Sequence, residues 1–288
     1  MKNKNIEIVY HYCGVDAFLS IISNAKLWLS DIYKANDSKE CTWAKEAITN
    51  MIRDYMVQKE PEMFDKLMKW ENEFAGSQPL YAACFSEKPD SLSQWRGYAQ
   101  EGQGLAIGFS ISFLISLNNK EKYAPYRFQK IAYGIEDSLN KFVIDEAVRI
   151  INCGAEKGLG HAAIALAHPN IEYAFFKNSS FEEEGEWRIA CNVAKNFEKM
   201  WLGNTGMWVS QRCYRSPAGQ IISYIEMDFS SVKQDIIREI WIGPKSRVTQ
   251  DDIIDFLSDA GYYKNSDDLV EYNHEKPIPI IHSESSYR

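Results

Sequence analysis

The sequence has no apolar run long enough to cross a membrane. Its uncharged apolar runs, such as residues 102–113 and 162–169, are well short of the roughly 20 residues that a membrane helix requires. Residues 1–10 lead directly into a short alternating segment, without the apolar stretch that follows the start of a secretory signal peptide. We therefore expect a cytoplasmic protein with no membrane partner.

The sequence also lacks paired cysteines and clustered histidines. Its six cysteines include no C-x-x-C pair, and its five histidines are dispersed along the chain. Zinc sites need Cys and His ligands at close, regular spacing. We therefore expect reduced thiols in the core and no metal. A G-x-S-x-G elbow, which a serine hydrolase would need around Ser86, is missing as well.

The sequence also has no excess of basic residues. The net charge is −8, which argues against a broad nucleic-acid footprint because phosphate contacts need a basic face. A local basic groove stays open as an alternative. The 288 residues are 45% apolar and 25% charged, values close to those of globular proteins, so we expect the chain to fold throughout.

Strand-like segments recur from one end of the chain to the other, seldom in regular alternation with single helices. This pattern predicts an α+β fold with a mixed β-sheet and flanking helices. No linker or repeat marks a boundary, so we expect a single domain over residues 1–288, in which the helical region 135–177 could be an inserted lobe. The segments that the argument uses are strands at 6–11, 80–85, 104–109 and 186–193, helices at 15–24, 135–151, 162–176 and 249–259, and a hairpin around 216–219.

Two local signals concern loops and helix starts. The glycines of residues 101–108 resemble those of a dinucleotide-binding loop. Such a loop follows a strand and opens a helix, whereas these glycines follow a predicted helix and lead into a strand. We expect a tight turn with close backbone packing instead. Ser91 and Gln94 have the spacing of a capping box, and Thr249 stands at the start of another predicted helix.

The acidic run at residues 182–186 is the most informative stretch. Four carboxylates in five residues usually form a solvated loop. This run, however, ends directly at a predicted strand. Glu184 and Glu186 would therefore lie at the start of that strand, two residues apart and on one face. Two carboxylates so placed repel each other, and one could have a raised pKa or need a cationic partner. A functional role and a solvated loop are about equally supported by the residues alone.

Three further groups lie at or just after predicted strands. His11 and Tyr12 end the first strand, Ser86 ends another, and Trp95 and Tyr98 follow on a short helix. A lone histidine on a strand is more often a core residue with its own hydrogen-bond partners than a catalyst. Aromatic residues are likewise more often part of the core than contacts to a ligand. Strand ends at a cleft nevertheless often carry ligand groups, and an aromatic ring there would suit nicotinamide or a nucleobase.

The ordered motifs together resemble a bacterial family, domain of unknown function 2971. The resemblance runs over nearly the whole chain and depends on the order and spacing of motifs that are weak singly. They are Tyr10-His11-Tyr12, Leu27-Trp28-Leu29-Ser30, Asn36-Asp37 with Glu40, Cys84-Phe85-Ser86-Glu87, Trp95-Arg96-Gly97-Tyr98, the strand at 104–109, Glu184-Gly185-Glu186-Trp187-Arg188, Ile242-Gly243-Pro244 and Ser286-Tyr287-Arg288.

Several of the same motifs are more distantly similar to ADP-ribosyltransferases, whose split sheet binds NAD. That resemblance implies that Glu186 is the catalytic glutamate and Glu184 the partner that receives the acceptor. It also implies that NAD is the substrate and that no metal takes part. The residues implied to bind NAD are His11, Tyr12, Ser86, Trp95, Tyr98 and Arg188, with Trp95 and Tyr98 as alternatives for the stacking ring.

The resemblance further implies a bacterial toxin or phage-defence effector, with an antitoxin or defence partner and a protein or nucleic acid as acceptor. The main alternative is a non-enzymatic binding or regulatory module of a defence system. In that reading His11, Glu186, Arg188 and Arg288 form a buried polar network that fixes the sheet. A hydrolase or nuclease is disfavoured, because the sequence has no acidic or basic cluster at metal spacing.

Overall fold

The computed structural model describes residues 7–34, 46, 50–51, 53–62, 65, 69, 79–116, 126–134, 145, 147–153, 170–193, 198–202, 206–266, 269–271 and 277–287. These residues form a mostly antiparallel open sheet with several helices, so the predicted α+β class is confirmed. Arg288 and most of the predicted helical region 135–177 lie outside the described residues. Within the described residues, none of the helices is long and apolar enough to cross a membrane.

The strands of the described residues are short, most of them three to seven residues. In chain order they are β1 (Ile8–Cys13), β2 (Lys26–Asp31), β3 (Leu80–Ser86), β4 (Leu105–Ser110), β5 (Tyr126–Lys130), β6 (Ala132–Tyr133), β7 (Phe176–Lys177), β8 (Glu186–Asn192), β9 (Lys199–Trp201), β10 (Trp208–Ser210), β11 (Cys213–Arg215), β12 (Ile222–Asp228), β13 (Ile237–Ile242), β14 (Lys264–Ser266), β15 (Leu269–Glu271) and β16 (Ile280–His282).

The helices of the described residues are also short. They are α1 (Val15–Asn24), α2 (Leu92–Tyr98), α3 (Ile111–Ile115), α4 (Asn170–Tyr173), α5 (Lys233–Ile236) and α6 (Gln250–Asp259), with 3-10 turns at Ile32–Lys34, Ser179–Glu184, Pro217–Gly219 and Ser230–Val232. Further helical residues lie at 53–59 and 147–153.

The main sheet has 12 strands, of which nine follow the path β16-β13-β4-β1-β3-β2-β12-β10-β9. Strand β11 joins β12, while β8 pairs with both β3 and β5. All pairs in this sheet are antiparallel except β13 with β16. A separate parallel pair, β6 with β7, contributes to the candidate site, and the N–H of Ile131, just before β6, donates to the Glu186 carbonyl of β8 at 2.9 Å.

Strand β3 is the point at which the sheet branches. Strand β8 pairs along the whole of one edge of β3. On the other edge, β1 pairs with Ser86 and β2 pairs with Ala82 and Tyr81. Both strands must share this edge, because β8 occupies the opposite one at all three positions. They therefore diverge beside Cys84, and the sheet opens there.

The main core lies on one face of the sheet. Alternate residues of β2, such as Leu27 and Leu29, are buried there, while Trp28 between them is exposed. Helices α1 and α6 cover this face, and α1 contributes Phe18 and Ile22 at helical spacing. Two smaller apolar clusters cover part of the opposite face, one that includes Leu80 and Ile171 and one around Trp95 of α2.

Several local signals in the sequence are confirmed. Thr249 caps α6 with a complete capping box formed with Asp252, and the hairpin around 216–219 appears as β11 paired with β12. Gly102 has a φ of 85° in a tight turn, and a side chain at Gly104 would overlap the carbonyl oxygen of Cys13. These glycines therefore serve close backbone packing, as expected.

Two local predictions are wrong. Ser91 stands at the N-cap of α2, but its side chain makes no capping hydrogen bond. Its backbone N–H instead donates to the Tyr12 hydroxyl at 3.1 Å. The helix predicted over 162–176 does not reach its expected end, because Phe176 begins strand β7. The parallel pairing of Phe176 with Ala132 overrides the helical spacing of the apolar residues.

Candidate functional site

Strands β3 and β8 bring together four polar side chains on one face of the sheet. Cys84 pairs with Arg188, and Ser86 pairs with Glu186. Directly opposed residues of an antiparallel pair share a face, and residues two apart on one strand do so as well. Cys84, Ser86, Glu186 and Arg188 therefore all lie on the face opposite the main core.

Glu186 is buried and fully engaged by donors. Arg188 donates from Nε to Oε1 at 2.5 Å and from Nη2 to Oε2 at 3.0 Å. Lys177 donates to Oε2 at 3.0 Å. Both oxygens of the carboxylate therefore accept hydrogen bonds from buried cations. Burial by itself would raise the pKa of Glu186, but Arg188 and Lys177 outweigh it and hold the pKa below its usual value.

Glu184 differs from Glu186 in both position and environment. It ends the 3-10 turn that Asn178 caps, and Gly185 then reverses the chain with a left-handed φ of 53° before β8 begins. Glu184 therefore lies in this turn, with Gly185 between it and β8, so the strand alternation used to predict a shared face does not apply to it. Glu184 accepts a hydrogen bond from Lys177 at 2.7 Å through Oε2, and 14% of its side chain is exposed. Burial raises its pKa, with the charge of Glu186 acting in the same direction against the attraction of Lys177.

Lys177 links the two carboxylates and is almost completely buried. It lies in β7, which pairs with β6 so that Lys177 is opposite Tyr133. The Tyr133 hydroxyl accepts a hydrogen bond from the backbone N–H of Glu186 at 2.8 Å. The Lys177 ammonium also lies 4.6 Å from the ring centroid of Phe181. Two buried cations and two carboxylates thus form one charge-balanced cluster.

Ser86 fastens the backbone beside this cluster. Its hydroxyl donates to the Glu184 carbonyl oxygen at 2.7 Å and accepts from the Lys88 N–H at 3.1 Å. The Lys88 ammonium in turn donates to the Glu183 carbonyl. These bonds tie the end of β3 to the loop that carries Glu184, so Ser86 positions a candidate site residue through its backbone.

His11 lies at the branch of the sheet. Its Nδ1 is 3.0 Å from the Cys84 carbonyl oxygen, and because a carbonyl only accepts, Nδ1 carries the proton. The imidazole therefore satisfies a strand carbonyl at the place where β1 leaves β3. His11 points to the core face, where its ring contacts Phe85 at 5.8 Å between centroids. Burial lowers its pKa, so the imidazole is neutral at neutral pH.

Tyr12 and Trp95 are buried supports of the loop before α2. Trp95 has no exposed surface, and its ring packs edge-on against Tyr12 at 4.7 Å. Trp95 donates from Nε1 to Asp90 at 2.6 Å, and the Tyr12 hydroxyl donates to the Lys88 carbonyl at 2.7 Å. Neither ring can stack on a ligand in this conformation.

Tyr98 and Cys84 are the accessible members of the group. Tyr98 ends α2 and is 46% exposed, and Cys84 is also exposed. Burial nevertheless raises the pKa of both side chains, and the charges of Glu184 near Tyr98 and of Glu186 near Cys84 raise it further. The influence of both Glu184 and Cys84 on the pKa of Tyr98 places these three side chains near one another. We refer to the space bounded by Cys84, Tyr98 and Glu184 as the Cys84 recess.

The predicted site residues thus separate into three groups. Glu184 and Tyr98 open on the Cys84 recess, Glu186 and Arg188 are paired beneath it, and His11, Tyr12, Ser86 and Trp95 hold the surrounding backbone. The sequence reasoning missed Lys177 and Cys84. A lysine directly after the apolar residues 173–176 was the one available sign of a buried cation. Among the described residues, no group of three or more His, Cys, Asp or Glu could hold a metal ion.

Comparisons with known proteins give one match. Residues 94–189, about a third of the chain, match a family model described as "Protein of unknown function (DUF2971)". This match confirms the resemblance to that family, and the matched segment includes most of α2, Lys177 and both glutamates. Neither the curated proteins nor the solved structures include a match to the chain.

Proposed function

We propose that this chain, which matches a family of unknown function over residues 94–189, is an ADP-ribosyltransferase-like protein that binds NAD in the Cys84 recess. The observation that carries the proposal is the position of Glu184. Its carboxylate is partly exposed, has a raised pKa, and lies beside the half-exposed ring of Tyr98. The branched sheet and the link to ADP-ribosyltransferases through the sequence motifs add to its support.

The chemistry of NAD suits a carboxylate and an aromatic ring. The bond between the ribose C1′ and the pyridinium nitrogen breaks, its electron pair goes to nicotinamide, and nicotinamide leaves as a neutral molecule. The ribose then carries positive charge, which a nearby carboxylate stabilises. A hydroxyl, amine or base of the acceptor bonds to C1′ and gives up one proton. No metal is needed in either step.

The contacts favour Glu184 over Glu186 as the carboxylate that faces the ribose. Both carboxylate oxygens of Glu186 accept hydrogen bonds from the buried cations Arg188 and Lys177. Glu184 is held only through Oε2 by Lys177 among the described contacts. We therefore assign Glu186 a positioning role, in which it neutralises the two buried cations, and give the role near the reacting atoms to Glu184.

Tyr98 is the ring that we assign to nicotinamide, since Trp95 is buried. A pyridinium ring stacked on Tyr98 would combine aromatic contact with attraction between a cation and a π face. His11, Tyr12, Ser86 and Trp95 then act through the backbone that they hold. Arg188, which was predicted to contact NAD, is engaged by Glu186 and by the Ala174 carbonyl at 3.0 Å.

Nicotinamide release from NAD tests the proposal directly. The parent protein should bind NAD in calorimetry and release nicotinamide with either water or an added acceptor. Glu184→Gln should retain NAD binding but lower the rate by about 10²–10³, which is typical for the loss of one electrostatic stabiliser. Glu183→Gln is the matched control, because its exposed side chain neighbours Glu184 and lies outside the cluster. Parental rates in Glu184→Gln, or no NAD binding by the parent, would contradict the proposal.

The role in a toxin or phage-defence system is part of the same proposal and derives from the sequence resemblance. If NAD is consumed in cells, expression of the parent should arrest bacterial growth and Glu184→Gln should relieve the arrest. Equal growth of both strains at equal protein levels would contradict this role. An antitoxin or defence partner would be expected to relieve the arrest when expressed together with the parent.

A non-enzymatic binding or regulatory module is the second candidate. It is favoured by the charge balance of the cluster, in which each carboxylate already has a protein cation within 3.0 Å. Under this reading the cluster fixes β7 against β8 and no substrate is turned over. NAD binding without any nicotinamide release, together with the same binding in Glu184→Gln, would favour this candidate.

A further inference from the structure

The half of the sheet formed by β2, β12, β10 and β9 has one buried and one open face. Leu27, Leu29, Ile225, Met227 and Val209 fill the buried face. The register places the alternate residues of these strands on the other side. We call that side the Trp28–Trp201 face; its aromatic and basic members are Trp28, Tyr224, Trp208, Trp201, Lys199 and Arg215.

Four aromatic rings on this face form two pairs. Trp201 and Trp208 are directly opposed on β9 and β10. Trp28 and Tyr224 lie on neighbouring strands with ring centroids 4.5 Å apart. The rings remain accessible, since Trp201 is 57% and Trp28 is 38% exposed. Large rings exposed side by side on a sheet face are unusual unless they contact a ligand or partner.

Each aromatic pair carries one cation. The Lys199 ammonium lies 3.9 Å from the ring centroid of Trp208 and 4.5 Å from that of Trp201. The Arg215 guanidinium lies 5.6 Å from the Trp28 ring and donates to the Ser30 hydroxyl at 3.0 Å. No ion pair involving either cation is found among the described residues.

The acidic side chains of the face are already engaged. Glu226 forms an ion pair with Lys26 at 2.7 Å. Asp228 accepts hydrogen bonds from the backbone N–H and the hydroxyl of Ser230 at 3.0 and 2.6 Å. The face therefore offers aromatic surface together with two cations that are not neutralised by these carboxylates.

We propose that the Trp28–Trp201 face binds single-stranded nucleic acid. Proteins that bind single strands stack bases on exposed aromatic rings and contact the backbone with Lys and Arg. A duplex hides the faces of its bases, so rings on a sheet cannot stack on it. The net charge of −8 limits long-range attraction, so binding depends on stacking and is confined to a short stretch of a strand.

This face and the Cys84 recess lie on the same side of the sheet. Ser30 of β2 pairs with Ala82 of β3, and Ala82 is two residues from Cys84 on the same strand. A strand bound at Trp28 would thus lie on the side where NAD is proposed to bind. The binding proposal does not depend on NAD, however, and is tested without it.

Fluorescence anisotropy of labelled short oligothymidylate and oligouridylate, measured without NAD, tests the proposal. The parent should bind both single strands and should bind the matching duplex much more weakly. Trp201→Ala and Trp28→Ala should each weaken binding by roughly 5- to 150-fold, which corresponds to the loss of one base–aromatic contact. Trp201→Phe, which retains a ring, should keep most of the affinity.

Tyr214→Ala is the matched control. Tyr214 is 61% exposed on the same half-sheet, but its pairing with Ser223 places it on the opposite face. Its loss should leave binding unchanged. Lys199→Gln should reduce the slope of log affinity against log salt by about 0.7, the value for one phosphate contact to a single strand. Thermal melts of each variant separate loss of binding from loss of fold.

Several results would overturn the proposal. They are no oligonucleotide binding at low salt, equal binding of duplex and single strand, parental affinity in folded Trp201→Ala and Trp28→Ala, or equal damage from Tyr214→Ala. Self-association that Trp201→Ala abolishes, in a protein that binds no oligonucleotide, would show instead that the face contacts a second copy of the chain.

Discussion

Arg188 holds the carboxylate of Glu186 side-on, with Nε on Oε1 at 2.5 Å and Nη2 on Oε2 at 3.0 Å. The two residues are on one strand, two positions apart, and both are almost completely buried. This geometry matches the planar guanidinium to the carboxylate and is stronger than a single hydrogen bond. Any change to Glu186 therefore leaves a cation without its partner in the protein interior.

Replacing Glu186 by Gln should destabilise the protein by roughly 3–5 kcal/mol, the usual effect of breaking a buried ion pair from one side. The amide has nearly the same shape, but its NH₂ group meets the donors of Arg188 and Lys177. Urea unfolding should show a lower midpoint with an unchanged slope. Glu183→Gln, an exposed neighbour, should unfold like the parent. A Glu186→Gln protein of parental stability would exclude the buried pair as a stabilising element.

The two glutamates should affect the pH dependence of stability in opposite directions. The folded pKa of Glu186 lies below its ordinary value of 4.5, so its stabilising contribution is present above pH 4.5 and is lost as the pH falls through the lowered pKa. The folded pKa of Glu184 lies above 4.5, so its contribution is present at lower pH and is lost as the pH rises from 4.5 through the raised pKa.

Glu184→Gln should consequently gain stability relative to the parent as the pH rises above 4.5. The difference arises because only the parent must ionise a carboxyl group whose burial favours the neutral form. Denaturation of both proteins over a pH series measures it. A constant difference across that range would contradict the assigned environment of Glu184.

Cys84 should react slowly with iodoacetamide at neutral pH, although its side chain is exposed. Burial, together with the charge of Glu186, raises the pKa of the thiol, and the thiolate is the reacting form. NAD should slow the reaction further by filling the recess. Peptide mass spectrometry can follow Cys84 and, in the same digest, Cys213 of β11, which should not be protected. Faster reaction at Cys84 than in a free cysteine peptide would contradict the prediction.

Two glycines should respond in opposite ways to replacement by alanine. A side chain at Gly104 would overlap the Cys13 carbonyl, which cannot move without disturbing the β1–β4 ladder, so Gly104→Ala should destabilise by about 3 kcal/mol. Gly97 is exposed in α2 with open space around it, and Gly97→Ala should stabilise by about 0.5–1 kcal/mol. Thermal unfolding of both variants checks the contrast.

The fold class could be predicted from local patterns, because a helix or strand that buries one face carries its apolar residues at a regular spacing. The apolar spacing at Phe18 and Ile22 identified α1, the apolar run at 80–85 identified β3, and the alternation in 186–193 identified β8. Phe176 shows the limit of this reasoning. Its helical spacing was real, but a parallel contact with Ala132 determined its conformation.

The candidate site was predictable in part. Glu184, Glu186 and Tyr98 were found because charges and rings beside strand ends stand out in a sequence. Their roles could not be predicted from the sequence. The choice between Trp95 and Tyr98 depended on which ring α2 buries, and the different contacts of the two glutamates depended on Lys177.

The sequence by itself determined elements such as α1, β3 and β8, the capping of α6 by Thr249, and the presence of two carboxylates at the start of β8. Only the tertiary structure decided that Lys177 bridges those carboxylates and that Arg188 pairs with Glu186. It also decided that His11 satisfies a carbonyl at the branch of the sheet. Local periodicity follows from backbone geometry, whereas partners, burial and pKa follow from which distant strands come to lie side by side.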